Sequence, residues 1–120
     1  MHELGIAETI VETITERASA CDAARVTGVR LRVGEASGVA VDSLTFCFEM
    51  LANQDPMLAG LKLEIDSVPH RARCPHCASE FAIEEFIARC PTCGEWSSEV
   101  LSGTDLQIVE VEIEPRREPV

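Results

Sequence analysis

The sequence has few positive charges. Its 120 residues include 10 Lys and Arg against 21 Asp and Glu, which gives a formal net charge of −11. Nucleic acids and anionic membranes bind basic surfaces, so this charge balance argues against both as partners. The sequence also lacks a signal peptide and an apolar run of about 18 residues. We therefore expect a cytoplasmic protein without a membrane span, whose cysteines stay reduced.

Two CxxC pairs lie in the second half of the chain, Cys-Pro-His-Cys at 74–77 and Cys-Pro-Thr-Cys at 90–93. The twelve residues between them allow a small hairpin. Thiolates are soft ligands, and four of them favour a closed, structural zinc site. The expected ligands are Cys74, Cys77, Cys90 and Cys93. Such a site keeps no open position for water, and no nucleophile–base pair stands out, so we expect no enzymatic activity.

Two disulfides or two redox dithiols are the alternatives to zinc, and the sequence favours neither. Nothing in it resembles a secreted disulfide framework, and a thioredoxin-like motif needs one CxxC at a strand-to-helix junction. Cys21 and Cys47 lie outside the pairs, and we expect both to be small buried or half-buried residues. His70 and His76 flank or fall within the cysteine segment, and we expect both on the exposed surface.

Hydrophobic periodicity divides the rest of the chain into two helices and three strands. A first helix is expected from near the start to Ala20, and a second over residues 42–53. Strands are expected over residues 25–34, 61–68 and 106–113. Asp42 or Ser43 is expected to cap the second helix. Three further side chains are expected to widen its apolar stripe: Phe46, Cys47 and Met50.

The cysteine segment has strand sequence on both sides, which predicts an insertion into a sheet. The expected fold class is α+β, with two helices on a small mixed β-sheet and an inserted zinc-ribbon-like module. Residues 1–68 plus 105–114 would form the helix and sheet domain, 69–104 the module, and 115–120 a disordered tail. Within the module, Phe81, Ile83 and Phe86 are expected to cover the cysteines.

His2 is a second candidate metal ligand. A free α-amino group, the next backbone amide and the imidazole of residue 2 can close adjacent chelate rings on one ion. Nitrogen-rich, square-planar coordination is typical of Ni²⁺ or Cu²⁺. The fourth donor stays open at this point, since the Glu3 amide or carboxylate, a distant histidine and water are all compatible. An exposed surface histidine without a metal would show the same pattern.

The sequence resembles the HypA/HybF family of hydrogenase maturation nickel chaperones, through Met-His-Glu-Leu at its start and its CPxC and CPxCG pairs. The resemblance covers nearly the whole chain. It implies nickel at His2, with the backbone nitrogens of Met1 and Glu3, and structural zinc at the four cysteines. Gly5 departs from the family, which usually has serine there, and glycine should weaken the first helical turn by up to about 1 kcal/mol.

The resemblance also implies partners. Family members deliver nickel to the large subunit of NiFe hydrogenase, together with the GTPase HypB, and in some bacteria they also supply urease through an accessory protein. We place the HypB contact near the first helix, because transfer needs the donor ion close to the acceptor. The chain is expected to be a monomer or a homodimer. The alternative function is a zinc-ribbon protein-interaction module without nickel delivery.

Overall fold

A computed structural model describes residues 2–116, and in it the two predicted helices and three predicted strands occur in the predicted order, while the cysteine segment adds three short strands that were not predicted. The elements are α1 (Glu3–Ala20), β1 (Ala23–Gly34), α2 (Val41–Asn53), β2 (Lys62–Val68), β3 (Arg71–Arg73), β4 (Glu80–Ala82), β5 (Glu99–Ser102) and β6 (Leu106–Pro115). Met1, an expected nickel ligand, and residues 117–120 of the expected tail lie outside the described residues. Within residues 2–116, neither helix has an apolar stretch of the length that a membrane span requires.

The larger sheet has the strand order β2-β1-β6. The pairing of β1 with β2 is parallel and that with β6 is antiparallel, so that Leu31 lies between Ile65 and Ile108. A second sheet, of order β4-β3-β5, lies in the cysteine module and is antiparallel throughout. The mixed sheet with two helices confirms the expected fold class.

Both helices pack on one face of the larger sheet and bury a common apolar core. In β1, alternate residues face that core, because successive side chains of a strand point to opposite faces. The fully buried side chains of this core include Ile14, Val26, Leu31, Leu44, Phe48 and Leu58. The other face carries charge, and Arg30 lies 2.9 Å from the Glu64 carboxylate on β2.

The apolar stripe of α2 is narrower than expected. Leu44 and Phe48 are buried, whereas Phe46 is 68% exposed and Met50 is 39% exposed. Residues two apart on a helix do not share a face, so Phe46 and Met50 point away from the core that Phe48 enters. The expectation that these two residues widen the stripe is wrong, while Cys47 is half-buried against the core as predicted.

The start of α2 also differs from the prediction. Ala40 is the N-cap residue, and no side chain makes a capping hydrogen bond there. The expected cap at Asp42 or Ser43 is therefore absent. Asp42 lies in the first turn, where its charge favours the positive end of the helix dipole. The amide of Ala40 instead donates a hydrogen bond to the Glu3 carboxylate of α1, at 3.2 Å. The two helix starts are therefore linked.

The last strand is two residues longer than predicted. β6 ends at Pro115, which lies opposite Ala23, so the expected disorder does not begin at residue 115. Proline has no amide hydrogen, but it is tolerated at the end of an edge strand, where no ladder bond is lost.

The module joins the larger sheet where two backbones touch. A Cβ atom on Gly34 would lie 2.2 Å from the Gly103 carbonyl oxygen, and one on Gly103 would lie 2.5 Å from His70 Cα. Gly103 also has a φ of +94°, a conformation that favours glycine. Its carbonyl accepts a hydrogen bond from the Ala36 amide at 2.8 Å. We call this contact of Gly34, Gly103 and His70 the glycine junction.

Candidate metal centres

The two CxxC pairs fold into matching turns. The Ala78 amide donates to the Cys74 carbonyl at 2.9 Å, and the Gly94 amide donates to the Cys90 carbonyl at 2.8 Å. Ala78 and Gly94 both have positive φ, at 62° and 77°, which reverses the chain directly after each pair. β3 and β4 precede and follow the first turn and pair antiparallel, which holds its two ends together.

The four sulfur atoms of these turns all lie within 4.8 Å of one another. Cys74 Sγ is 3.4 Å from Cys93 Sγ, and Cys77 Sγ is 3.6 Å from Cys90 Sγ. A tetrahedral zinc ion with bonds of about 2.3 Å places its sulfur ligands about 3.8 Å apart. The donor set and its dimensions therefore fit zinc.

Cys21, by contrast, is exposed at the end of α1, which contradicts the expected burial.

The surroundings of the four thiols push their pKa values apart. A hydrogen bond with the Ser79 hydroxyl, followed by the Ser79 backbone, lowers the pKa of Cys77 to about 6. The Cys93 amide is the main cause that lowers the pKa of Cys90. For Cys93 the Glu95 amide lowers the pKa, but the other three thiols and burial together raise it to about 12. Since crowded thiolates repel one another, a cation must displace the remaining protons.

Ser79 also contributes to the cysteine site, although the sequence did not predict this role. Its hydroxyl lies 3.3 Å from Cys77 Sγ, and its carbonyl accepts the Cys74 amide at 2.8 Å. The available signal was its position two residues after the second cysteine of a pair, where a short polar side chain can reach back to the sulfur.

The apolar cover of the cysteines is smaller than predicted. Phe81 and Ile83 are buried beside Cys74 and Cys90, as expected. Phe86 is 75% exposed, because it lies at the tip of a turn with a φ of 63°. His70, expected on the surface, is buried at the glycine junction, where its ring meets the Phe86 ring edge-on at 5.9 Å. His76 is exposed, as predicted.

His2 and Glu3 lie at the start of α1. The His2 side chain is exposed, and its carbonyl accepts the Ile6 amide at 3.0 Å, which opens the helical ladder. The first amides of a helix have no partner within it, so those of His2 and Glu3 are outside this ladder. The Glu3 side chain is only 9% exposed and is held by the Ala40 amide. Its backbone nitrogen, rather than its carboxylate, is the group that remains next to His2.

The two candidate centres are separate. In the part of the chain that the structure describes, the four cysteines are the one group of three or more His, Cys, Asp or Glu side chains close enough to share an ion. His2 borders a different cavity, which Leu106 also lines. Leu106 pairs with Val33, the residue before Gly34, so the His2 end of α1 lies towards the glycine junction.

A protein-family model matches residues 1–113. It describes HypA, "Hydrogenase/urease nickel incorporation, metallochaperone". Two curated relatives carry the name hydrogenase maturation factor HypA. The one from Geotalea uraniireducens is 40% identical over 114 residues, and the one from Geobacter metallireducens is 38% identical. Each comparison covers 95% of this chain and 100% of the relative.

A solved structure gives the same fold. The solution structure of the Ni metallochaperone HypA from Helicobacter pylori matches with a TM-score of 0.69. The match covers 97% of this chain and 100% of that one, at 18% sequence identity. At this identity the similarity establishes the fold, whereas the curated relatives and the family model establish the family.

Proposed function

Since this chain belongs to the HypA family of nickel-incorporation metallochaperones, we propose that it binds Ni²⁺ at His2 and delivers it during maturation of NiFe hydrogenase. The family match over residues 1–113, which includes His2, is the observation that carries this proposal. Nickel is cargo in this function and is released again, so the nickel centre needs to be accessible. A zinc-ribbon interaction module without nickel delivery is not favoured by the family.

The proposed nickel ligands are His2, through its imidazole, and the backbone nitrogens of Met1 and Glu3. Ni²⁺ takes nitrogen donors in a square-planar arrangement, and it can displace the proton of an amide. The exposed His2 side chain and the free amides of the first helical turn support this assignment. A cation near a helix start is opposed by the helix dipole, but deprotonated amides offset that cost with negative charge.

We further propose that Cys74, Cys77, Cys90 and Cys93 hold a structural Zn²⁺. Four cysteine ligands leave no position for water or substrate, so the ion would stabilise the module rather than catalyse a reaction. Residues 69–104 would then form a unit that depends on its metal, attached to a helix and sheet domain that does not.

The proposed partners are the GTPase HypB, the hydrogenase large subunit and, for some clients, a urease accessory protein. We place the HypB contact near α1, since the donor and acceptor ions must approach. Maturation of such a client would take place in the cytoplasm, and the acidic surface argues against nucleic acid.

The test is a nickel titration of native protein, His2→Ala and His76→Ala at neutral and mildly acidic pH. His2→Ala should lose specific nickel binding and keep its zinc and its fold, because an exposed side chain contributes little to stability. His76→Ala, a second exposed histidine, should bind nickel normally. Acid should release nickel before zinc, because protons compete with nickel at three nitrogen donors at once. Unchanged nickel affinity in His2→Ala would refute the assignment.

A residue added before Met1 is the second arm of this test. It leaves every side chain in place but removes the free α-amino group from its position beside His2. Nickel binding should fall as it does in His2→Ala, whereas zinc content should not change. Normal nickel binding by the extended protein would show that the terminal amine is not a ligand.

A further inference from the structure

The outer edge of β2 is open. In the strand order β2-β1-β6, β1 pairs with one edge of β2, and no strand within residues 2–116 pairs with the other. An edge strand presents free backbone donors and acceptors, which a second strand can use to extend the sheet. This edge lies on the far side of β1 from β6, whereas His2 borders a cavity that Leu106 of β6 also lines. Neither candidate metal centre uses it.

The helices cover β2 less completely than they cover β1. On the face that meets the helices, Leu31 of β1 is fully buried, whereas Leu63 and Ile65 of β2 are only half-buried. A cavity of about 200 Å³ lies beside them and is lined by Leu63 and by Phe48 and Ala52 of α2. Water therefore reaches apolar surface along this edge, and burial of that surface against another chain would be favourable.

On the opposite face, β2 carries two neighbouring charges of opposite sign. Lys62 is the only lysine of the chain, and its side chain is 79% exposed. Its amino group lies 3.5 Å from the Glu64 carboxylate, which Arg30 of β1 contacts from the inner side at 2.9 Å. A lysine on an edge strand often prevents pairing. A lysine beside a glutamate, however, is matched by a strand that presents the two charges in reverse order.

This edge is complementary to itself. When two copies of β2 pair antiparallel about a two-fold axis at Leu63, Lys62 of each copy lies opposite Glu64 of the other. In the same register Leu61 lies opposite Ile65, and all apolar side chains stay on one face. An axis at Glu64 would bring two carboxylates together, and an axis at Lys62 would bring two ammonium groups together. Like charges opposite each other destabilise a sheet, so the register at Leu63 is favoured.

We propose that two copies of this chain bind each other through the outer edges of β2, antiparallel and with the two-fold axis at Leu63. The product is a continuous six-stranded sheet of order β6-β1-β2-β2-β1-β6, with the helices of both copies on one face. Both β6 strands lie at its ends, so the two proposed nickel centres stay accessible. A strand pair is a small interface, and the dimer therefore dissociates on dilution.

Cross-linking of the native protein tests the contact directly. A carbodiimide joins an amine to a carboxylate without a spacer, and Lys62 supplies the only lysine amine. An equal mixture of isotope-labelled and unlabelled protein distinguishes links between copies from links within one copy, because only the former contain both isotopes. The expected product is a covalent dimer with a mixed-isotope link between Lys62 and Glu64, identified by mass spectrometry. Links between copies that join other positions would identify a different interface and overturn the proposal.

Charge reversal tests the register. Lys62→Glu and Glu64→Lys each bring like charges together across the axis. In analytical ultracentrifugation, the dissociation constant of each variant alone should rise at least about tenfold. An equal mixture of the two variants restores opposite charges at both contacts and should dimerise within about threefold of native protein. Arg32→Glu is the matched control, because it makes the same change as Lys62→Glu on the open face of β1, and its effect should stay within about twofold.

Three outcomes overturn the proposal. They are native protein that stays monomeric up to about 1 mM, a dimer that Lys62→Glu leaves unchanged, and a mixture of the two variants that stays monomeric although both are folded. Zinc content and thermal unfolding show whether each variant is folded. Glu64→Lys also loses its contact with Arg30. If that variant does not fold, Lys62→Glu and the cross-linking of native protein decide the question.

Discussion

The helix and sheet part and the cysteine module differ in what holds them together. The first buries a continuous apolar core that includes Ile14, Leu31 and Phe48. The apolar core of the module consists of Ala72, Phe81, Ile83 and two of the cysteines themselves. So small an apolar core cannot offset the conformational entropy of an ordered chain. One chain thus combines a part stabilised by apolar burial with a part whose clustered cysteines would supply a cross-link through metal.

The largest expected effect comes from removing one of the four clustered thiols. Cys90→Ala should abolish zinc binding and unfold the module, while the larger sheet stays folded, because only the module lacks an independent core. Backbone amide exchange should show lost protection in β3–β5 and retained protection in β1. Cys21→Ala, an exposed cysteine outside the cluster, should change neither. Simultaneous loss of protection in β1 would contradict the difference between the two parts.

A cavity in the apolar core should affect the other part. Phe48→Ala removes a fully buried ring and should lower the free energy of unfolding of the helix and sheet part by about 3–5 kcal/mol. Phe46→Ala on the same helix removes an exposed ring, and its effect should stay within about 0.5 kcal/mol. Urea unfolding and zinc content measure both quantities. Equal destabilisation by the two variants would mean that α2 buries a different face.

The smallest predicted effect concerns the acid sensitivity of the zinc centre. The Ser79 hydroxyl is the largest cause of the lowered pKa of Cys77, so it favours the thiolate that zinc binds over the protonated thiol. Ser79→Ala should raise this pKa and shift the midpoint of acid-induced zinc release upwards by about 0.5–1 pH unit.

The control for that measurement is Ser98→Ala, which changes an exposed serine of the same module. A chelator that changes colour with zinc follows the release as the pH falls from neutral. A midpoint that Ser79→Ala leaves in place, or moves to lower pH, would show that the hydroxyl does not favour the thiolate.

The sequence predicted the elements and the cysteine cluster well, because both depend on local patterns. The alternation of Val29, Leu31 and Val33 with polar residues predicted β1. The two CxxC pairs predicted the group of four cysteines whose sulfur atoms lie together in the structure. The errors concern individual side chains. Periodicity shows that α2 is amphipathic, but not how wide a stripe the sheet accepts, and so it placed Phe46 in the core.

Contacts between segments far apart in the chain could not be predicted from the sequence. Burial of His70 follows from Gly103, 33 residues later, and the link from Glu3 to Ala40 follows from the packing of α1 on α2. No local pattern encodes either contact. The nickel ligands stay a prediction, whereas the family is established.

The glycine junction has a mechanical consequence. Two segments of the backbone meet there with no side chain between them, so no side-chain rearrangement at this contact can absorb a displacement of either segment. The orientation of the module therefore depends on these close backbone contacts. In a molecule 67 Å long, the module acts as a lever arm on this joint. A single added methyl group at Gly103 would therefore swing the distant cysteines through an arc far larger than the local displacement.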